Sequence, residues 1–292
     1  MHDLILATGF GLVTASVIAL STVALSLQYS VTDIPNFSHG EMMTVGAYTA
    51  YVVQHFTSNL IVAAVSAAIT GAMVALVLNE ALLKPFARSG AKRLVLFIVT
   101  IAFGLIVQNV LLLIFGGSNV AYSLPPTPAQ NVGPFVLTQR DQAVIALGVI
   151  AMVAIHLLLR YTKFGKAQRA VADSRTLARV AGINVDRIVL MTWLISGSLA
   201  GLAGFILGAT VGTLSPTLGY SFLLVIFAAA IVGGIGKPYG AMAGAVIIGL
   251  AMEISALFIS ADYKEVIAFL LLIVVLLVRP QGLVTTIRTA NQ

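Results

Sequence analysis

Cysteine is absent from this 292-residue chain, and charge is scarce, with Asp, Glu, Lys and Arg together making up 9% of it. Without cysteine there are no disulfides, thiolate nucleophiles or cysteine metal sites, so redox chemistry has no support. The four histidines, His2, His39, His55 and His156, include no pair at metal-ligand spacing, which argues against zinc. No phosphate-binding loop is present, because Gly236-Lys237 is followed by Pro238 and Gly165-Lys166 by Ala167, where Ser or Thr is required. A Gly-x-Ser-x-Gly elbow is missing too, and no nucleophile, base and orienting group can be assembled. The chain reads as a non-enzyme that needs no cofactor. Ahead of the first apolar run only His2 and Asp3 follow Met1, so the basic segment of a signal peptide is lacking and the run is expected to be retained as a span.

What fills the chain instead is apolar: 59% hydrophobic residues and a mean hydropathy of +1.04. Soluble domains carry roughly 25% charged residues, so this composition belongs to a polytopic membrane protein. A helix needs about 20 apolar residues to cross a bilayer. Runs of suitable character are residues 4–28, 37–56, 60–83, 94–115, 142–160, 188–211, 220–236, 238–259 and 265–278. The first six read as ordinary spans. The last three are short or interrupted by Gly236, Pro238 and Gly240, where re-entrant or broken helices fit. The expected fold is all-α, a transmembrane helix bundle of eight or nine spans forming one domain over residues 1–292.

Charge tests the nine-span reading, since Lys and Arg in short loops collect on the cytoplasmic side. Alternating spans place Lys84, Arg88, Lys92, Arg93, Lys237, Arg279 and Arg288 on one side together with the central segment 160–187. That segment alone holds seven of the 16 basic residues: Arg160, Lys163, Lys166, Arg169, Arg175, Arg179 and Arg187. Arg140 and Lys264 fall on the other side. The central segment and the C-terminus are therefore expected in the cytoplasm and the N-terminus outside. The outer connection 116–141, with Pro125, Pro126, Pro128 and Pro134, should be rigid.

Within the central segment, residues 167–182 read as a short amphipathic helix. Val171, Ser174, Leu177, Ala178 and Ala181 make its small apolar face, Arg175 and Arg179 lie one turn apart, and Gly182-Ile183 has the form of a helix stop. Such a helix suits docking to a watery partner, or rest on anionic lipid head groups. Small residues then suggest helix contacts: Ser196, Ala200, Gly204, Gly208 and Gly212 recur every four positions beside Gly197 and Gly201, and Gly236, Gly240 and Gly244 make a second row.

Polar residues inside the spans are candidate sites, because an ionisable group there costs roughly 2.5 to 3.5 kcal/mol on insertion scales. Ser38, Glu41, Thr44, Tyr48, Tyr51 and His55 share one helix face that would border a pathway. Ser38-x-x-Glu41 also matches a capping box, which would make Glu41 structural. Glu253, on the small-residue row Ala241, Ala245, Gly249, has no basic residue within a turn and reads either as a lone buried carboxylate or as one that reaches water near the outer end of its span. Gln108 and Asn109 interrupt the fourth span, and Glu80 has Lys84 one turn later.

Four stretches together resemble one family: IPNFSHGEMMTVGAYTAY from Ile34, AVADSRTLARVAGINVDRI from Ala170, AIVGGIGKPYGAMAGAVIIG from Ala230 and RPQGL from Arg279. The chain is similar to the membrane permease subunits of bacterial ABC importers for branched-chain amino acids, of the LivH type. It departs from that pattern at Ser38, where alanine is common, and in the tail after Leu283. The resemblance implies half of a translocation pathway in the bacterial inner membrane. The implied partners are a second, homologous permease chain, two cytoplasmic ATPase subunits, an external solute-binding protein and membrane lipid, with no nucleic acid. It places a coupling helix at residues 170–182 and assigns the ATPase contact to Arg169, Asp173, Arg175 and Arg179, with Gly182 ending the helix. The solute would pass beside His39, Glu41, Tyr48 and Asn109, with Glu253 a further pathway candidate. The competing expectation is a stand-alone secondary transporter in which Glu41 or Glu253 carries coupling protons.

Overall fold

Local capping signals set many of the helix starts. Asn59, Thr162, Ser174 and Asn184 each accept a hydrogen bond from a backbone N–H two or three residues ahead, at 2.9 to 3.3 Å. Thr138 and Asp141 form a full capping box. The computed structural model describes residues 2–124, 127–279 and 281–283. Pro125, Pro126, Pro280 and Arg288, with the rest of the tail from residue 284, lie outside the described residues.

In chain order the helices are α1 (His2–Thr32), α2 (His39–Gln54), α3 (Leu60–Val77), α4 (Lys84–Arg88) and α5 (Arg93–Phe115). Then come α6 (Gln139–Tyr161), α7 (Lys163–Asp173), α8 (Arg175–Val180), α9 (Val185–Val211), α10 (Leu218–Gly233), α11 (Pro238–Ser255) and α12 (Lys264–Val278). A π-helical turn, Leu78–Leu83, joins α3 to α4. The Glu80–Lys84 pair forms there at 2.5 Å, as its spacing suggested. A hairpin of β1 (Ala129–Val132) and β2 (Phe135–Thr138), turning at Gly133, occupies the connection expected only to be rigid. The architecture is an all-α polytopic bundle.

Each of the nine apolar runs contains one apolar helix, and among the described residues six helical stretches are long and apolar enough to cross a membrane. The three short ones are α2, α10 and α12, at 16, 16 and 15 residues. For α2 this corrects the reading of an ordinary span. Its first residue, His39, meets Ser21 of α1, whereas Ser30 of α1 meets Gln168 of the basic segment. Nine residues of helix separate these levels, so α2 begins about 13 Å inside the bundle from the basic end. Residues 33–38 run back inward to reach that point. The first turn of α10 meets it there: Gly219 N–H donates to Thr44 Oγ1 at 3.0 Å, and Gly219 and Gly40 touch backbone to backbone. Two short helices thus meet by their N-termini in the interior.

Around this junction α1 packs against α6, α9, α10 and α11, while α9 lies against α2 and α3. The small-residue rows make these crossings. Gly201 lies on Gly46, Ala67 and Gly71, Gly197 on Gly71 and Ala75, and Gly204 on the backbone of Met43. Gly244 meets Ala229 and Gly233, and Gly249 meets Ala15. In lipid such contacts rest on dispersion between close backbones. Gly212 and Gly236 are not part of the ridges: both have positive φ, Gly212 ending α9 and Gly236 turning between α10 and α11. α5 stands at the edge, touching α2 chiefly through the stripe that includes Thr100, Gly104 and Leu111.

Candidate functional site

Two groups of polar residues stand out, one buried at the start of α2 and one at the basic end. At the first, the expected capping box does not form. Ser38 Oγ donates instead to the carbonyl of Thr100 on α5, and no side chain caps α2. A competing acceptor on a neighbouring helix has captured the hydroxyl. Thr100 Oγ1 accepts from Phe37 N–H at 3.2 Å, and Asn36 joins Gln28 Oε1 at 2.9 Å while accepting from Ser38 N–H at 3.0 Å. The inward-running segment therefore has its polar atoms held by α1 and α5.

His39 is fully buried, its Nε2 3.1 Å from both the hydroxyl and the carbonyl of Ser21. Since the carbonyl can only accept, Nε2 is the protonated nitrogen of the neutral ring, and Nδ1 is left without a partner among the described residues. Glu41 is 2% exposed, with Cγ facing Gly104 and Oε2 without a partner among the described residues. Freed from capping, Glu41 is a buried carboxyl that forms no ion pair among the described residues, and an ionisable group inside a span is a functional candidate. Tyr48 packs on Phe115 with ring centroids 4.6 Å apart and tilted by 44°, its hydroxyl also without a partner among the described residues. The stripe from Ser38 through Glu41 and Thr44 to Tyr48 shares a face as expected, but α5 and α10 cover it.

Asn109 is placed apart, exposed on α5 with its amide bonded to its own helix at Leu105 O. Glu253 is not a lone carboxylate. Lys264 Nζ lies 2.6 Å from Oε2 and Thr14 Oγ1 donates to Oε1 at 2.9 Å. Lys264 lies beyond one helical turn in the chain and meets Glu253 across the α11–α12 connection. With side chains 15% and 28% exposed, this pair is partly desolvated. Lys264→Ala should cost about 1 to 2 kcal/mol by leaving the carboxylate unpaired, and adding Glu253→Gln should recover part of that. Thermal melts in detergent check both. Equal melting of Lys264→Ala and the unsubstituted chain would show that the pair contributes nothing.

At the basic end the single amphipathic helix expected over residues 167–182 is two helices, α7 and α8, broken at Ser174, which leaves helical geometry and caps α8. The break rotates the second half. Val171 and Ala178 are buried with Val31 and Val185, but Leu177 is 69% exposed and Val180 83%. Leu177 therefore leaves the expected inner face, and both side chains form an outward apolar knob. Gly182 ends the segment with φ +81°, and Ile183 N–H reaches back to Ala178 O at 3.0 Å while its side chain packs on the Val31 cluster. Arg169 and Asp173 are exposed on α7. Arg175 keeps an exposed surface while its guanidinium donates to the carbonyl of Val31. Burial of its guanidinium lowers the pKa from the ordinary arginine value, opposed by the Asp33 carboxylate. Arg179 and Arg88 both approach Asp186, at 3.9 and 3.5 Å, and Arg93 pairs with Asp33 at 3.2 Å. These charges line a cavity of about 550 Å3 between the segment and the ends of α4 and α5. A second cavity, of about 630 Å3 and almost wholly apolar, lies between α3, α6 and α9 away from either polar group.

A bundle with short helices meeting in its interior, and an exposed helical segment at its basic end, has the architecture of a polytopic membrane protein. The chain belongs to the family described as branched-chain amino acid transport system / permease component, whose model matches residues 7–276. It is 33% identical over 291 residues to the high-affinity branched-chain amino acid transport system permease protein LivH of Escherichia coli (strain K12), covering 94% of this chain and 92% of that protein. It is 28% identical to the corresponding permease protein BraD of Pseudomonas aeruginosa, with 94% and 93% covered. Among solved structures, PsaBC from Streptococcus pneumoniae in complex with Fab matches with a TM-score of 0.51 at 12% identity, covering 93% of this chain and 91% of that one. That likeness is one of fold.

Proposed function

We propose that this chain forms half of the translocation pathway of an ATP-driven importer for branched-chain or related amino acids. The observation that carries the reading is the family match across residues 7–276, which takes in both polar groups. In this reading it pairs with a homologous permease chain in the bacterial inner membrane. Two ATPase subunits dock at the basic end, facing the cytoplasm with the C-terminus, and a solute-binding protein delivers solute at the opposite end, where the N-terminus lies. Leu177 and Val180 enter the ATPase groove, flanked by Arg169, Asp173 and Arg179. His39, Glu41 and Tyr48 line the route once α5 and α10 withdraw, Asn109 faces the second permease, and Glu253 has a structural pair. The stacked glycine crossings let α9 with α2 and α3 move as a rigid body.

Gentle solubilisation of the tagged chain from its native membrane should recover a second hydrophobic permease and Walker-motif ATPases by mass spectrometry. The reconstituted complex should take up leucine, isoleucine or valine only with ATP and the binding protein. Recovery of the chain alone, with uptake driven by a proton gradient, would replace this reading with a secondary transporter using Glu41.

A further inference from the structure

The basic segment is held very differently on its two sides. Toward α1 it is fastened. Arg175 reaches the carbonyl of Val31, one of the last four in α1 that no helical N–H can satisfy, and a cation there also complements the helix dipole. Gln168, itself buried, donates to Ser30 Oγ at 2.8 Å. Val31, Val171, Ala178 and Val185 close the gap between them with a buried apolar contact. Toward α4 and α5 the cavity of about 550 Å3 intervenes, bridged by Arg88–Asp186 at 3.5 Å and Arg93–Asp33 at 3.2 Å, in each case between side chains that are both exposed. Such pairs hold weakly against motion.

What the fastened side connects to gives the asymmetry its meaning. One residue past Thr32 the chain reverses at Asp33, the single non-glycine residue with positive φ among the described residues, at +57°. Asp tolerates that conformation where most residues do not. Its N–H remains tied to Tyr29 O at 2.8 Å, so the reversal is continuous with α1. From there residues 34–38 lead directly to the buried start of α2, with Asn36 tied to Gln28 and Ser38 to Thr100. No flexible glycine lies between Val31 and His39.

We propose that Arg175 and Gln168 are positioning residues that clamp the docking segment to residues 30–33. Displacement of α8 is thereby delivered through the Asp33 turn to the His39 and Glu41 end of α2, and reaches α5 by way of that turn and the Ser38–Thr100 contact rather than directly across the cavity. This rests on the importer reading, in which ATPase closure moves α8. The clamp makes the end of α1, α7, α8 and the start of α9 one moving unit, and the cavity is the clearance into which it moves.

The absence of cysteine allows a clean test. Ile34→Cys, on the wall of the cavity, reports the turn through its rate of maleimide labelling in the assembled complex, nucleotide-free against vanadate-trapped. Trapping should change the rate with Arg175 and Gln168 in place. In an Arg175→Ala, Gln168→Leu background the ATPases should still copurify and hydrolyse ATP within about twofold of normal, while uptake falls about tenfold or more and the labelling change disappears. Arg175→Lys, which still offers a donor to Val31, should restore uptake. Normal uptake or a retained labelling change in the double variant overturns the proposal. So does failure of the double variant to hold ATPases that the unsubstituted chain holds, since Arg175 would then belong to the ATPase contact. If the unsubstituted chain holds none, the importer reading itself fails.

Discussion

Gly204→Leu should leave little folded protein, whereas Gly117→Ala should be indistinguishable from the unsubstituted chain. Gly204 faces α2 at the tightest point of its crossing with α9, where an added Cβ would lie 2.7 Å from Met43 Cα and closer still to its carbonyl. The obstacle is backbone, so no side chain can rotate aside. The helices must separate, and the neighbouring contacts of Gly201 with Gly46 and Ala67 would open with them. In lipid there is little hydrophobic drive to restore the packing. Overpacking that side chains can absorb costs about 1 to 3 kcal/mol, and a backbone clash at a three-helix contact should exceed about 4 kcal/mol. Gly117 has nothing within 4 Å and no positive φ. The measurement is the monodisperse fraction in size-exclusion chromatography, followed by a thermal melt. A Gly204→Leu protein that elutes and melts normally would show that α2 and α9 are not in contact in the membrane.

The residues that were legible in the sequence and those that were not differ in one physical respect. A bilayer forces each crossing helix to be apolar along its length, so each apolar run contains its helix. Gly201 and Gly204 were readable as a seam because close approach in lipid needs small residues at fixed spacing. Gly182-Ile183 was readable as a stop because its hydrogen bonds are local. Wherever a second element competes, the local pattern misleads. Ser38 and Glu41 have the spacing of a capping box, yet Thr100, 62 residues away, takes the Ser38 hydroxyl. Glu253 finds Lys264 across a chain reversal. The depth at which α2 begins depends on Ser21 and His39 meeting between helices, which no single-helix pattern contains. Leu177 leaves the face that a single continuous helix would give it because the Ser174 side chain starts a second helix.

That rotation of Leu177 leads to the other large effect. Replacing Leu177 and Val180 together with Asp should abolish ATPase recovery and transport, while the permease remains inserted and melts normally. Both side chains point away from the bundle, so the fold loses nothing when they change. α8 is six residues long and could not persist alone, but the Ser174 cap, the Gly182 stop and the anchoring of Ala178 hold it in place. Such stabilisation of two exposed apolar side chains suits a helix that is buried by a partner. Burying an aliphatic side chain of this size contributes about 1.5 to 3 kcal/mol. Losing two, and leaving carboxylates to be desolvated in their place, should weaken docking by about 100-fold or more, at 1.4 kcal/mol for each tenfold. Arg169→Ala, at an exposed position on the preceding helix, should weaken it only a few-fold, because rim charges contribute little to affinity. The measurement is titration of purified ATPase subunits onto permease in nanodiscs, with ATP-driven uptake in parallel. Undiminished binding by the double Asp variant would remove α8 from the docking surface. If binding stays normal and the variant alters only its association with lipid vesicles, the knob rests on the membrane surface and the ATPase must be engaged elsewhere on the basic end.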